Sequence, residues 1–96
     1  MMSEQLARVA KTLRAIGDWT KASTVASTTS LPKRTVQHHL QHLVKLGVVE
    51  VFEVVPAYRY RWRHTMGDAA SAFVGELDTS IDALGLAEPV AKEKKR

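Results

Sequence analysis

The sequence predicts a mainly α-helical domain with one small β-hairpin, in the element order α-α-α-β-β-α. Apolar residues recur at helical spacing over 3–16, 32–46 and 69–84, and a short helix over 21–28 fits between the first two. Over residues 48–63 the pattern changes to the alternation that is typical of strands. The chain has 96 residues, which is enough for one domain with a thin margin of stability.

The first two helices are predicted from their apolar positions and their flanking residues. Ser3 is a candidate N-cap, because its hydroxyl can accept a hydrogen bond from a free backbone N–H of the first turn. The second helix is rich in serine and threonine, and Thr20 is predicted to cap it. Trp19, in the turn between the two helices, is predicted to lie half-buried against the second one.

The third helix has the clearest pattern in the chain. Pro32 is well tolerated in a first helical turn, and Gly47 follows the last apolar position, where helices commonly end. With successive residues about 100° apart around the axis, one face is apolar and the opposite face is polar. The apolar face holds Val36, Leu40, Leu43 and Val44, and the polar face holds Arg34, His38, Gln41, His42 and Lys45. The polar face contains no carboxylate, which favours an anionic partner, although a merely basic exposed face is the simpler alternative.

The predicted hairpin carries aromatic and basic side chains on opposite faces of its second strand. The aromatic face holds Tyr58, Tyr60 and Trp62, and the basic face holds Arg59, Arg61 and Arg63. Packing of the aromatic residues on the core is favoured, and stacking on the bases of a single strand is the alternative. Pro56-Ala57 is not a favoured two-residue turn, so the loop is expected to take in Val55 or Tyr58.

The segment TKASTVASTTSLPKRTVQHHLQHLVKLGVVEV (20–51) resembles the winged helix-turn-helix superfamily, in particular regulators of the MarR, ArsR and IclR types. The resemblance implies a transcriptional regulator that binds double-stranded DNA, with helix 32–46 in the major groove and the wing, 48–63, on the backbone. Two features depart from the pattern. Ser30 stands where such proteins usually have glycine or a similar turn residue, and the wing tip is expected to be short.

The predicted DNA-binding residues divide by the chemistry of their side chains. Arginine can pair with guanine and glutamine with adenine in the major groove. The candidates for base contacts are Arg34, Gln37, His38 and Gln41. The candidates for phosphate contacts are Lys33, Thr35 and Lys45 on the helix and Arg59, Arg61 and Arg63 on the wing, and His42 lies on the same helix face.

Charge is unevenly distributed and suggests three regions. Residues 1–63, the predicted DNA-binding domain, carry a net charge of +6, residues 64–85 carry −4, and the predicted flexible tail, 86–96, carries +2. The last helix is predicted to form a homodimer interface through a narrow apolar seam. The seam consists of Ala70, Phe73, Leu77, Ile81 and Leu84. The alternative is that this helix packs on its own domain beside the first helix.

Several classes of function lack a signal in the sequence. The chain has no cysteine, no phosphate-binding loop, no catalytic motif and no apolar run of the roughly 20 residues that cross a bilayer. We therefore expect a cytoplasmic, non-enzymatic protein without a cofactor, a bound metal or a small-molecule ligand. A metal site at His38, His39 and His42 is disfavoured, because the helix offers no further ligand and the site would face DNA. Two alternatives stay open: a plasmid-partition or replication-origin protein, and a winged helix that binds another protein.

Overall fold

Four α-helices and a three-stranded antiparallel sheet make up the part of the chain that this computed structural model describes, residues 2–86. In chain order the elements are α1 (Glu4–Ile16), β1 (Thr20–Lys21), α2 (Ala22–Thr29), α3 (Lys33–Leu46), β2 (Val49–Phe52), β3 (Arg59–Trp62) and α4 (Asp68–Ala83). The predicted order of helices and hairpin strands is confirmed, with one additional strand before α2. The predicted tail, 86–96, lies outside the described residues apart from Leu86.

The ends of α1 are fixed by Ser3, the predicted N-cap, and by Gly17. The Ser3 hydroxyl accepts a hydrogen bond from the backbone N–H of Leu6 at 3.2 Å, which satisfies one of the free donors of the first turn. Gly17 adopts the left-handed conformation, with φ of 68°, and its N–H donates to the carbonyl of Leu13. Glycine adopts this conformation without steric cost, so α1 ends there.

The prediction that Thr20 caps α2 is wrong. Thr20 is buried in β1 and pairs with Tyr60 of β3, so the sheet has three strands in the order β1-β3-β2. Lys21 occupies the N-cap position and makes no side-chain hydrogen bond there. The partner that holds Thr20 in an extended conformation lies 40 residues further along the chain. Local sequence therefore carries no signal for this strand.

The loop at the tip of the wing is longer than the sequence predicts. β2 and β3 pair from Val49 opposite Trp62 to Phe52 opposite Arg59, and residues 53–58 form the loop between them. This loop includes both Val55 and Tyr58, and the tip is therefore not the short turn that was expected.

The helix α4 completes the core of its own chain. Four of the five seam residues are buried and Leu84 is partly buried, in one cluster with residues of α1 and α3; the four are Ala70, Phe73, Leu77 and Ile81. Arg14 of α1 also forms a 2.8 Å ion pair with Asp78 of α4. This is the packing that the alternative to dimerisation predicted, with α4 on its own domain beside α1. No helix within residues 2–86 is long and apolar enough to cross a membrane.

Leu77 tests this assignment, because it is fully buried. We expect Leu77→Ala to lower the free energy of unfolding by about 2–5 kcal/mol, through lost burial and the cavity that remains. Urea denaturation at several protein concentrations measures the effect. The exposed Ser71→Ala, on the same helix, should change stability by less than about 0.5 kcal/mol. If Leu77→Ala left the stability of the monomer unchanged and only prevented dimerisation, the result would support α4 as a dimer interface.

The turn between α2 and α3 places a non-glycine residue in the left-handed region. Ser30 has φ of 60°, and its N–H donates to the carbonyl of Ala26 at the end of α2. Leu31 donates to the same carbonyl at 3.2 Å. The turn therefore requires the left-handed backbone conformation that glycine adopts readily, and Ser30 adopts it at a steric cost.

Ser30→Gly is accordingly expected to raise the free energy of unfolding, by about 0.5–1 kcal/mol after the greater freedom of glycine in the unfolded chain is subtracted. Ser27→Gly, within α2, should lower it by a similar amount, since glycine weakens a helix interior. Thermal or urea unfolding of the two variants measures both signs. Destabilisation by Ser30→Gly would contradict the account of strain at this turn.

Candidate nucleic-acid interface

The polar face of α3 lies in solvent because its opposite face is buried. Val36, Leu40 and Leu43 are fully buried against the other helices. The predicted contact residues on α3 are exposed, apart from the half-buried Thr35; the exposed ones are Lys33, Arg34, Gln37, His38, Gln41, His42 and Lys45. The helix therefore presents cations, amides and imidazoles together, and its own sequence contains no carboxylate.

A groove of about 340 Å³ separates this face of α3 from the wing. Its walls come from α3, the start of α2, the wing loop and the strands β1 and β3; they are Lys21, Ala22, Ser23, Lys33, Gln37, Gln41, Pro56, Ala57, Tyr58 and Tyr60. The groove adds Lys21, Ser23 and Tyr58 to the candidates from the sequence. Sequence patterns did not indicate Lys21 because it precedes the predicted second helix. They did not indicate Tyr58 because it belongs to the alternating aromatic run, for which packing on the core was favoured.

The three aromatic residues of that run do not share one environment. Tyr60 is buried and Trp62 is partly buried against the core, which agrees with the packing interpretation. Tyr58 is 43% exposed at the groove. Burial raises the pKa of the Tyr60 phenol, and the nearby Tyr58 and Glu53 raise it further, so Tyr60 presents a neutral hydroxyl.

The three wing arginines are not equivalent either. The Arg61 guanidinium donates to the Glu50 carboxylate at 2.8 Å and lies 4.4 Å from the centre of the Trp19 ring. Arg59 is half-buried and donates to the carbonyl of Ala57 at 2.9 Å. Arg63 is exposed just beyond the strand, with its backbone N–H bonded to the Val48 carbonyl. The positive charge of Arg61 is therefore paired within the protein. Trp19 lies against the wing, beside Arg61 and Phe52.

The histidines of α3 lie side by side. The rings of His38 and His39 meet edge to face, with centroids 5.5 Å apart. Partial burial lowers the pKa of His39, and the neighbouring His38 and His42 lower it further. Within the described part of the chain, no group of three histidine or acidic side chains is placed to hold a metal ion.

Because the pKa of His39 is lower in the folded protein than its ordinary value of 6.5, the unfolded chain takes up this proton more readily. The free energy of unfolding should therefore decrease as pH falls below about 6.5. His39→Gln removes this contribution, so the variant should lose less stability than the parent between about pH 7.5 and about pH 5.5. Urea denaturation at the two pH values measures the difference. Equal losses in the two proteins would contradict it.

Comparison with known proteins gives matches at the level of structure. No family model and no characterised protein matches the sequence. A possible transcriptional regulator from Methanosarcina mazei superposes with a TM-score of 0.63 at 16% identity, covering 88% of this chain and 75% of that one. NMB1585, a MarR family regulator from Neisseria meningitidis, gives 0.60 at 23% identity, with 88% and 60% covered.

A third match is a smaller domain. The Zalpha domain of PKZ from Carassius auratus, solved in complex with Z-DNA, gives a TM-score of 0.55 at 25% identity. The match covers 62% of this chain and 94% of that domain. The chain has the winged helix-turn-helix fold, as the resemblance of segment 20–51 implied: α2 and α3 form the helix-turn-helix, and β2 and β3 form the wing.

Proposed function

We propose that the protein is a transcriptional regulator that binds double-stranded DNA, with α3 in the major groove and the wing beside it on the backbone. The observation that carries the proposal is the exposed face of α3, which has no carboxylate and borders a groove of the wing. A solvated helix face usually mixes both signs of charge. A face of cations and amides alone fits the phosphates and base edges of a duplex.

The exposed side chains of the proposed interface contact either base edges or phosphates in this proposal. Arg34, Gln37 and Gln41 are candidates for base edges, because guanidinium and amide groups can form paired hydrogen bonds with guanine and adenine. Lys33, at the start of α3, and Lys21, across the groove, are candidates for phosphates. The similarity to regulators supports this function through the shared fold.

We further propose that the regulator binds an inverted repeat as a homodimer. Two copies of α3 would then lie about 34 Å apart, one turn of the double helix. Since the apolar seam of α4 is buried in the core of its own chain, we propose that the contact between the copies comes from another surface.

Arg34 provides the main test. We expect Arg34→Glu to abolish binding of duplexes selected from a random pool at about 150 mM salt, since it places a carboxylate against the DNA. Arg34→Lys is the matched control: it keeps the charge, loses the paired hydrogen bonds, and should retain salt-sensitive binding with weaker sequence preference. Circular dichroism checks that both variants fold.

The other outcomes separate the alternatives. An enriched inverted repeat would support the dimeric regulator, and the genomic position of the sites would separate regulation from partition or replication. Retention without an enriched sequence would indicate non-specific DNA binding. Absence of retention even at low salt would contradict DNA binding and favour a winged helix that binds a protein.

Binding of left-handed Z-DNA is a second candidate function. It is favoured by the similarity to the Zalpha domain, nearly all of which is matched. Circular dichroism of an alternating CG duplex distinguishes the two functions, because a Z-DNA binder would shift the duplex to the left-handed form. An unchanged right-handed spectrum at saturating protein would contradict this candidate.

A further inference from the structure

The three-stranded sheet has a second face, turned away from the core, which shares only Lys21 with the proposed duplex interface on α3. Successive side chains of a strand point to opposite faces, and Thr20 and Tyr60 point into the core. Their neighbours therefore lie on the other face, which we call the outer sheet face. It consists of Lys21, Glu50, Phe52, Arg59 and Arg61, together with Trp19, whose ring centre lies 4.4 Å from the Arg61 guanidinium.

Two aromatic rings on the outer sheet face are open to solvent. Phe52 is 58% exposed and Trp19 is 38% exposed. Their ring centroids lie 6.1 Å apart with the planes tilted by 55°. A single exposed aromatic side chain needs no explanation, but two adjacent rings form an apolar patch of the kind that marks a binding surface.

The ring of Trp19 is held in place before any partner arrives. The Arg61 guanidinium lies over it at 4.4 Å and is itself fixed by Glu50, through distances of 2.8 Å and 2.7 Å to one carboxylate oxygen. The negative charge of Glu50 is thereby neutralised within the face. A ring that is already ordered loses little conformational entropy when a ligand stacks on it.

Beside this cluster, a row of side chains crosses all three strands. Lys21 of β1 lies opposite Arg59 of β3, which lies opposite Phe52 of β2. Neither Lys21 nor Arg59 forms an ion pair with any residue among 2–86. The outer sheet face thus combines exposed rings with two cations that form no ion pair within residues 2–86.

We propose that the outer sheet face binds single-stranded nucleic acid, with bases stacked on Phe52 and Trp19 and phosphates bound by Lys21 and Arg59. Unpaired bases expose the flat surfaces that aromatic rings cover, whereas a duplex hides them between neighbouring base pairs. The charge of the row suits a phosphate backbone rather than a basic or a purely apolar partner. This activity is separate from duplex binding by α3 and does not rest on it.

The test uses the full chain and a fluorescently labelled oligothymidylate of about 12 nucleotides, which has no secondary structure. We expect Phe52→Ala to weaken binding by about tenfold, with a similar loss in Trp19→Ala, because stacking on one ring is removed. Phe52→Tyr, which keeps a ring, should bind as the parent does. Arg34→Glu should leave the affinity for the oligothymidylate within about twofold, since α3 lies outside the outer sheet face.

Tryptophan fluorescence gives a second readout. In a Trp62→Phe background the remaining emission comes from Trp19, and the oligothymidylate should quench it with the same dissociation constant. If Trp62→Phe does not fold, the fluorescence anisotropy of the labelled oligothymidylate measures binding to the protein that keeps Trp62. The control for the fold in every variant is its circular dichroism spectrum.

Three outcomes would overturn the proposal. A loss of oligothymidylate binding in Arg34→Glu but not in Phe52→Ala would place the strand on α3. An absence of binding at low salt would exclude a nucleic-acid ligand for this face. Self-association that Phe52→Ala abolishes, without any binding of the strand, would show that the face contacts a second copy of the chain. Failure of duplex binding alone would leave the proposal intact, because its variants and its ligand are different.

Discussion

The burial of one stripe of α3 is the constraint on which the rest of the structure depends. Val36, Leu40 and Leu43 are fully buried and fix the rotation of the helix about its axis. With about 3.6 residues per turn, this rotation decides that Arg34 and Gln41 lie in solvent. The same residues that stabilise the core therefore orient the candidate interface. A change in the stripe would disturb stability and the proposed binding together.

The core and the wing are joined by the short pairing of β1 with β3. Thr20 and Tyr60 are opposite each other and buried, which ties the chain before α2 to the far strand of the hairpin. The pairing places Lys21 between the groove and the outer sheet face. Two surfaces of different chemistry result: α3 offers amides and cations, and the sheet offers Phe52 and Trp19 beside cations.

Much of the fold and of the candidate site follows from the sequence. The stripe of α3, the N-cap Ser3, and the order of helices and hairpin all depend on neighbours within a few residues, so local patterns predict them. The same holds for the exposure of the polar face of α3, since it lies opposite an apolar stripe.

What only the tertiary structure decided depends on contacts between distant segments. The strand at Thr20 needs a partner 40 residues away. The apolar seam of α4 has the same sequence pattern whether it packs on α1 or on a second chain, because both arrangements bury the same side chains. Arg61 looks like its neighbours in the alternating run, yet it is bound by Glu50 and Trp19. Residue type and spacing fix which side chains a helix or strand presents. The partner that each one meets is fixed only when the elements pack.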